Sequence, residues 1–303
     1  MTGFNVPTVA RTSANSTEIP NPLSGERHYF RWREHRIAYA VRGETSADCT
    51  PVLLVHSIHA AAWSAEWRAV FEPLSAIDGF GPIYAIDLLG FGGSDRPPLH
   101  YTAQLYLDLI RDFIKEVIGQ SPIVIGSSLG ATYAIALEGA EPGTFREIIA
   151  VGPAGVSRLF DTGNVFTHGI EALFRSTVPG AALFRALVSP PSIRFFLNGV
   201  YPRKGTKLEE AVQLSRITSS HPNARFAPAA FVGMHLSRDI RHVIQTLTCP
   251  LHVIWGTKAS QSAYREAEQV RTLVPTARFT AMETGDLPHD ELPDEFVNAV
   301  RRR

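Results

Sequence analysis

Short apolar runs alternate with stretches of helical period along most of this chain, and that rhythm sets the fold class. "PVLLVHS" (51–57), "GPIYAIDLL" (81–89), "SPIVIGSS" (121–128) and "REIIAVGP" (146–153) are almost continuously apolar, as parallel strands covered on both faces require. Between them, "AQLYLDLIRDFIKEVIG" (103–119) places Leu105, Leu107, Ile110, Phe113, Ile114 and Val117 largely on one helical face and Asp112, Lys115 and Glu116 outside it. Strand, helix, strand at this spacing predicts right-handed βαβ crossovers. Upstream, "HYFRWREHRIAYAV" alternates on either side of Arg33–Glu34–His35 and predicts an antiparallel hairpin. The rhythm lapses between about Gly155 and Leu247, where Pro179, Pro190, Pro191, Pro202 and Pro222 punctuate helix-like pieces. It resumes with a strand in "CPLHVIWG" (249–256), a helix in "AYREAEQVRTLV" (263–274), a strand in "ARFTAME" (277–283) and a last helix from about Pro293. The pattern predicts one α/β core, 27–154 and 248–303, interrupted by a helical insertion over 155–247, a length that a plain loop would not reach.

Composition narrows the partners. With 303 residues, 45% of them hydrophobic, the chain can bury a sizeable core. Lys+Arg 29 against Asp+Glu 29 gives a formal net charge of zero, so no global field steers it to nucleic acid or an anionic membrane. A small neutral or apolar molecule is the partner this implies. Cys49 and Cys249 have neither metal-ligand spacing nor a disulfide framework, which suits a reducing compartment. Residues 1–26 carry Arg11 as their only cation and no apolar run; they read as a mobile arm rather than a signal peptide or anchor. No segment approaches the roughly 20 apolar residues of a membrane span. A soluble, cytoplasmic protein is expected.

The chemistry is concentrated at strand ends. The run ending in "GSSLGA" contains Gly126–Ser127–Ser128–Leu129–Gly130, a G-x-S-x-G pattern at a strand-to-helix junction. Small residues flank such a serine because its backbone turns sharply, and the turn leaves the hydroxyl beside N–H groups at a helix N-terminus. Asp87 in "AIDLLGFGGSDRP" also ends a strand, and glycines 90, 92 and 93 lack the strand–turn–helix setting of a dinucleotide fingerprint.

Together, "LLVHS" with Trp63 and Trp67, "YAIDLLGFGGSDRP", "GSSLGA", "CPLHVIWG" and "LPHDELPDEF" resemble the α/β-hydrolase superfamily from Tyr29 to Arg301. Within it the chain is similar to bacterial and cyanobacterial hydrolase-like proteins with a degenerate catalytic triad. The resemblance implies a mostly parallel eight-stranded sheet flanked by helices, with a helical lid in the place of the insertion. It puts Ser128 at the nucleophile position, Leu129 N–H at one oxyanion donor and Ile58 N–H at the other. It also implies three departures: Ser57 stands where the family has glycine after His56, Ala259 where it has its acid, and Asp286 where it has its histidine. His289 matches the family's second, supporting histidine, and Asp87 a structural position.

A serine without a base is a poor nucleophile at neutral pH. Ser128 is therefore either a nucleophile or substrate-binding hydroxyl, or a small residue that the turn tolerates. Asp286 and His289 are candidates for proton transfer, with loop-capping and loop-bracing as the plainer alternatives. His56, Ser57 and His59 are pocket candidates, and no third ligand is spaced to make the histidines a metal site. The reading that results is a lidded enzyme acting on a hydrophobic ester, lactone or other carbonyl compound without a cofactor, its reaction hydrolytic or of lyase, cyclase or isomerase type. The alternative is a catalytically silent protein that binds a small apolar ligand or a partner.

Overall fold

The computed structural model describes residues 18–157, 163–203 and 205–302. Eight strands form one sheet: β1 (Glu26–Trp32), β2 (His35–Arg42), β3 (Thr50–Val55), β4 (Phe80–Ile86), β5 (Ile123–Ser127), β6 (Glu147–Val151), β7 (Leu251–Gly256) and β8 (Arg278–Met282). Their spatial order is β1-β2-β4-β3-β5-β6-β7-β8. The pairs β1/β2 and β2/β4 are antiparallel and the rest parallel. The β1–β2 turn uses two non-glycine residues at positive φ, Arg33 (44°) and Glu34 (69°), the hand that matches strand twist in a two-residue hairpin loop.

Helices α1 (Phe71–Ser75), α2 (Ala103–Phe113) and α3 (Leu129–Ala140) precede the insertion; α9 (Arg265–Leu273), α10 (Pro288–Glu291) and α11 (Pro293–Arg301) follow it. The expected helix over 103–119 is regular to Phe113, widens into a π-helical turn over Ile114–Ile118 and stops at Gly119, whose φ is 76°. Because side chains alternate across a strand, Leu53 and Val55 pack toward α2 and α3, while Val52 and Leu54 pack toward α1 and α11. Both faces are thus dry, which is why these strands read as continuous apolar runs.

Between β6 and β7 lie α4 (Val165–Arg175), α5 (Val178–Leu187), α6 (Pro190–Val200), α7 (Thr206–Ser219) and α8 (Phe226–Val232). The prolines of this segment initiate rather than break helices: Pro179, Pro190 and Pro191 occupy first-turn positions, where no N–H is needed. Ile193, Leu197, Leu208 and Val212 make a small core of their own, closed by Leu287 from the β8–α10 connection. Phe195 of α6 points outward, 83% exposed.

A charged cluster joins the insertion to the rest. The Asp290 carboxylate is fully buried and accepts hydrogen bonds from Arg68 Nη2 (3.1 Å) and Tyr201 Oη (2.5 Å). Lys207 Nζ lies 3.7 Å from Asp290 Oδ1 and donates to its backbone oxygen. Arg68 Nε also reaches Glu210 Oε1 at 2.9 Å. Of the expected mobile arm, residues 1–17 lie outside the described residues; residues 18–25 are held, with Ile19 and Leu23 buried and Arg27 donating to the Ile19 and Pro20 carbonyls. No helix among the described residues is long and apolar enough to cross a membrane.

Breaking a buried ion pair from one side leaves the other charge uncompensated. Replacing Arg68 with alanine is expected to cost about 3 kcal/mol, read as a lower urea midpoint. An unchanged midpoint would show that Tyr201 and Lys207 alone satisfy Asp290.

Candidate active site

Ser128 connects β5 to α3 in one step, at φ 51° and ψ −118°. The turn explains its glycines. A Cβ on Gly126 would sit 2.6 Å from the Ala131 backbone, and one on Gly130 would sit 2.5 Å from the Val55 carbonyl oxygen. The Ser128 N–H donates to Val151 O at 2.8 Å, which ties the turn to β6. Leu129 begins α3, so its N–H lies at the positive end of the helix with no intrahelical partner. Neither that N–H nor the Ile58 N–H finds an acceptor among the described residues. Each therefore remains an open backbone donor, the kind of group that negative charge developing on an oxygen requires.

The loop after β3 is pinned from behind. His56 is fully buried; its Nε2 accepts from Leu88 N (3.0 Å), which leaves the proton on Nδ1, 2.6 Å from Ser57 O. Burial lowers its pKa. Asp87 accepts from Ser64 N and Gly93 N, both at 2.8 Å, so the strand-end carboxylate is consumed in shaping two loops. His59 is half-buried and packs against Phe196 of α6, ring centres 5.7 Å apart. Its pKa falls to about 4, through burial first and His56 second.

The two residues expected to transfer protons are engaged with other partners than the Ser128 hydroxyl. Asp286 accepts from Ser260 N (2.9 Å), Ser260 Oγ (3.0 Å), Gln261 N (2.9 Å) and Ser262 N (3.2 Å). Its carboxylate thus organises the loop that follows Ala259. Its own N–H donates to Val200 O at 3.2 Å, and a Cβ on neighbouring Gly285 would lie 2.0 Å from that same oxygen, so the end of α6 closes on this turn. His289 is fully buried, stacked on Trp67 at 4.2 Å and edge-on to Phe296. Burial, then the charges of Arg68 and Lys207, push its pKa down to about 3, so the ring is neutral. Among the described residues no side chain hydrogen-bonds the Ser128 hydroxyl. No set of three or more His, Cys, Asp or Glu side chains there is arranged to hold a metal ion.

One residue that sequence reasoning passed over stands at the centre of this region. Glu66, in a short 3₁₀ turn over Ser64–Trp67, is buried beneath the site. Its Oε1 accepts from Ser57 N (3.0 Å) and its Oε2 from Ser57 Oγ (2.5 Å). The Ser127 side chain faces the same carboxyl and favours its charged form, and His289 Nε2 lies 3.7 Å from Oε1. Burial raises its pKa from 4.5 to about 7 against the opposing pull of these donors. The signal was present in the sequence: a serine replacing glycine at 57, beside a buried strand end, needs an acceptor, and Glu66 is the next acid downstream.

With this geometry in place, the likenesses to known proteins are specific. Residues 52–299 match the model of the Alpha/beta hydrolase family. A 2-(acetamidomethylene)succinate hydrolase of Mesorhizobium japonicum is 31% identical over 244 residues, 77% of this chain and 78% of that protein. An uncharacterised protein of Mycobacterium tuberculosis is 26% identical over 290 residues, covering 88% of this chain and 78% of its own. The crystal structure of a serine hydrolase involved in carbazole degradation superposes with a TM-score of 0.73 at 17% identity, covering 91% of this chain and 97% of that one.

The Glu66 carboxyl makes stability depend on pH in a stated direction. Between its ordinary value of 4.5 and about 7 in the fold, the folded protein keeps a proton that the unfolded chain releases, so stability falls as pH rises through that window. His289 works oppositely: its value falls from 6.5 to about 3, and stability is lost as pH drops through that range. In Glu66→Gln the first effect disappears and the second remains. Urea unfolding is expected to show the parent losing at most about 3 kcal/mol more than the variant across the Glu66 window. Parallel curves would mean that Glu66 is not desolvated.

Proposed function

The chain belongs to the alpha/beta hydrolase family, and from that premise we propose that it binds a small carbonyl compound, an ester, lactone or relative, and polarises it without forming an acyl-enzyme. The N–H groups of Ile58 and Leu129 hold the carbonyl oxygen, and Ser128 donates a hydrogen bond instead of attacking. The observation that carries this reading is the engagement of Asp286. The carboxylate at the family's histidine position is committed to the 260–262 loop, and Ala259 offers no acid. His289 is stacked within the core.

An alcohol that must attack needs a base to take its proton. A donor pair needs none, and still lowers the barrier to any step that places negative charge on the carbonyl oxygen. Lyase, cyclase and isomerase chemistry at a carbonyl fits that description; acyl transfer does not. The Mesorhizobium relative is named for a small substituted succinate, which supports a small carbonyl-bearing substrate. Apolar walls for it come from the lid, which the helices α6 to α8 supply under this reading, and no cofactor is called on. A silent ligand-binding protein is the second reading, favoured by the loss of both activating groups.

Two measurements test the proposal. A fluorophosphonate is expected to label Ser128 no faster than an ordinary surface serine. Ser128→Ala is expected to weaken turnover or binding of the carbonyl compound about tenfold, the loss of one hydrogen bond, rather than abolish it. Rapid labelling confined to Ser128, or an acyl-enzyme trapped from the parent, would establish a nucleophile and sink this mechanism.

A further inference from the structure

The carbonyl site described above leaves open what holds its two donors in register. They come from different strands: Ile58 follows β3, and Leu129 follows β5. Those strands pair in parallel up to Val55 and Gly126 and then diverge, so ladder hydrogen bonds do not reach the donors. What crosses between the two strand ends is Glu66. Its carboxyl takes the N–H and the hydroxyl of Ser57, immediately before Ile58, and faces the side chain of Ser127, immediately before Ser128 and Leu129, which favours its charged form.

We propose that Glu66 is a positioning residue of the oxyanion hole, whose ionised carboxylate ties the Ile58 loop to the Ser128 turn. The inference rests on reading that donor pair as the carbonyl site. It assigns a purpose to the departure at position 57: the serine hydroxyl supplies the attachment point that a glycine would lack.

The direction of charge follows from the partners. The Ser57 N–H and hydroxyl donate together to a carboxylate, whose remaining lone pairs face Ser127; a protonated Glu66 must itself donate and surrender one acceptor. The tie is therefore tight when the group is ionised and slack when it is protonated. Facing it are His289 and Asp290 from α10, and Tyr201 from the end of α6. Asp290 is neutralised by Arg68 and Lys207. His289 is held neutral down to about pH 3, so it does not titrate where Glu66 does. Glu291, raised to about 6 by burial, binds Gly285 N and would report at that amide instead.

The test reads amide resonances in uniformly 15N-labelled full-length protein from about pH 5 to about pH 9, a range that spans a carboxyl raised by burial. The Ser57 and Ile58 amides of the parent are expected to shift together through one inflection near neutrality. Exchange with deuterated solvent of the Ser57 amide, the one that donates to Glu66, corrected for its intrinsic pH dependence, should slow about tenfold above it, as the gain of one charge-assisted hydrogen bond implies. Glu66→Gln, close in shape, should abolish the inflection and leave exchange fast throughout. Should that variant not fold, Ser57→Gly keeps the N–H and removes the hydroxyl; its inflection should move to higher pH, because a donor to the charged form is gone. An inflection that persists in Glu66→Gln, or that does not move in Ser57→Gly, overturns the proposal.

A trifluoromethyl ketone, phenyl trifluoromethyl ketone, separates this idea from the site reading beneath it. Bound in the hole, it should shift the Ile58 and Leu129 amides, and bind about tenfold more weakly to Glu66→Gln. Ketone shifts without a pH inflection overturn the tie and keep the site; an inflection without ketone shifts overturns the carbonyl site and with it the positioning role.

Discussion

One residue, at a φ that side chains seldom adopt, carries the chain from the middle of the sheet into a helix, and much of the surrounding structure is arranged to permit it. Ser128 turns at φ 51°, a conformation that costs on the order of 1–3 kcal/mol outside glycine. It persists because the neighbours leave no other path. α3 approaches β3 so closely at Gly130 that the Val55 carbonyl fills the space of a side chain, and Gly126 does the same against Ala131. β6 holds the Ser128 N–H. Beside this corner the loop after β3 is pinned, with His56 and Asp87 bonding the Ser57 carbonyl and the Ser64 N–H. A sharp corner and a pinned loop thus lie side by side.

Beneath that corner the ionisable groups have each found partners suited to a dry interior. A buried charge must be paired or neutral, and the region shows both solutions. Asp290 is paired three ways with Arg68, Tyr201 and Lys207. His289 is neutral and stacked on an indole. Glu66 stands between these limits, desolvated yet bonded to the Ser57 N–H and hydroxyl. Because Arg68 follows Trp67, and Trp67 follows Glu66, one short turn carries the tie to the strand ends, the platform for His289 and the bridge to the insertion.

The fold was legible because its signals are strong and local. Strands buried on both faces leave continuous apolar runs, and Leu53 with Val55 against Val52 with Leu54 shows why: each face has its own helices to meet. The hairpin around Arg33–Glu34 was legible from alternation alone. The site was legible where it depends on backbone, as at Gly126, Ser128 and Gly130, and illegible where it depends on pairing through space. Nothing in the spacing says that Asp286 reaches back to Ser260, Gln261 and Ser262, or that Glu66 meets Ser127. Such contacts join segments about 25 and 60 residues apart and leave no period to read. The helical insertion fell between these cases, since its prolines mark helix starts but not which face of α6 turns outward.

The bonds that Asp286 makes with the 260–262 loop also bear on how such a site tolerates substitution. A histidine at 286 would strip the loop of its acceptor; an aspartate at 259, next to Ser260, would place a second carboxylate beside the first. Positions 259 and 286 are therefore coupled through one loop: the acceptor at 286 sets what any new side chain at 259 would meet, so a change at either is judged by the residue at the other.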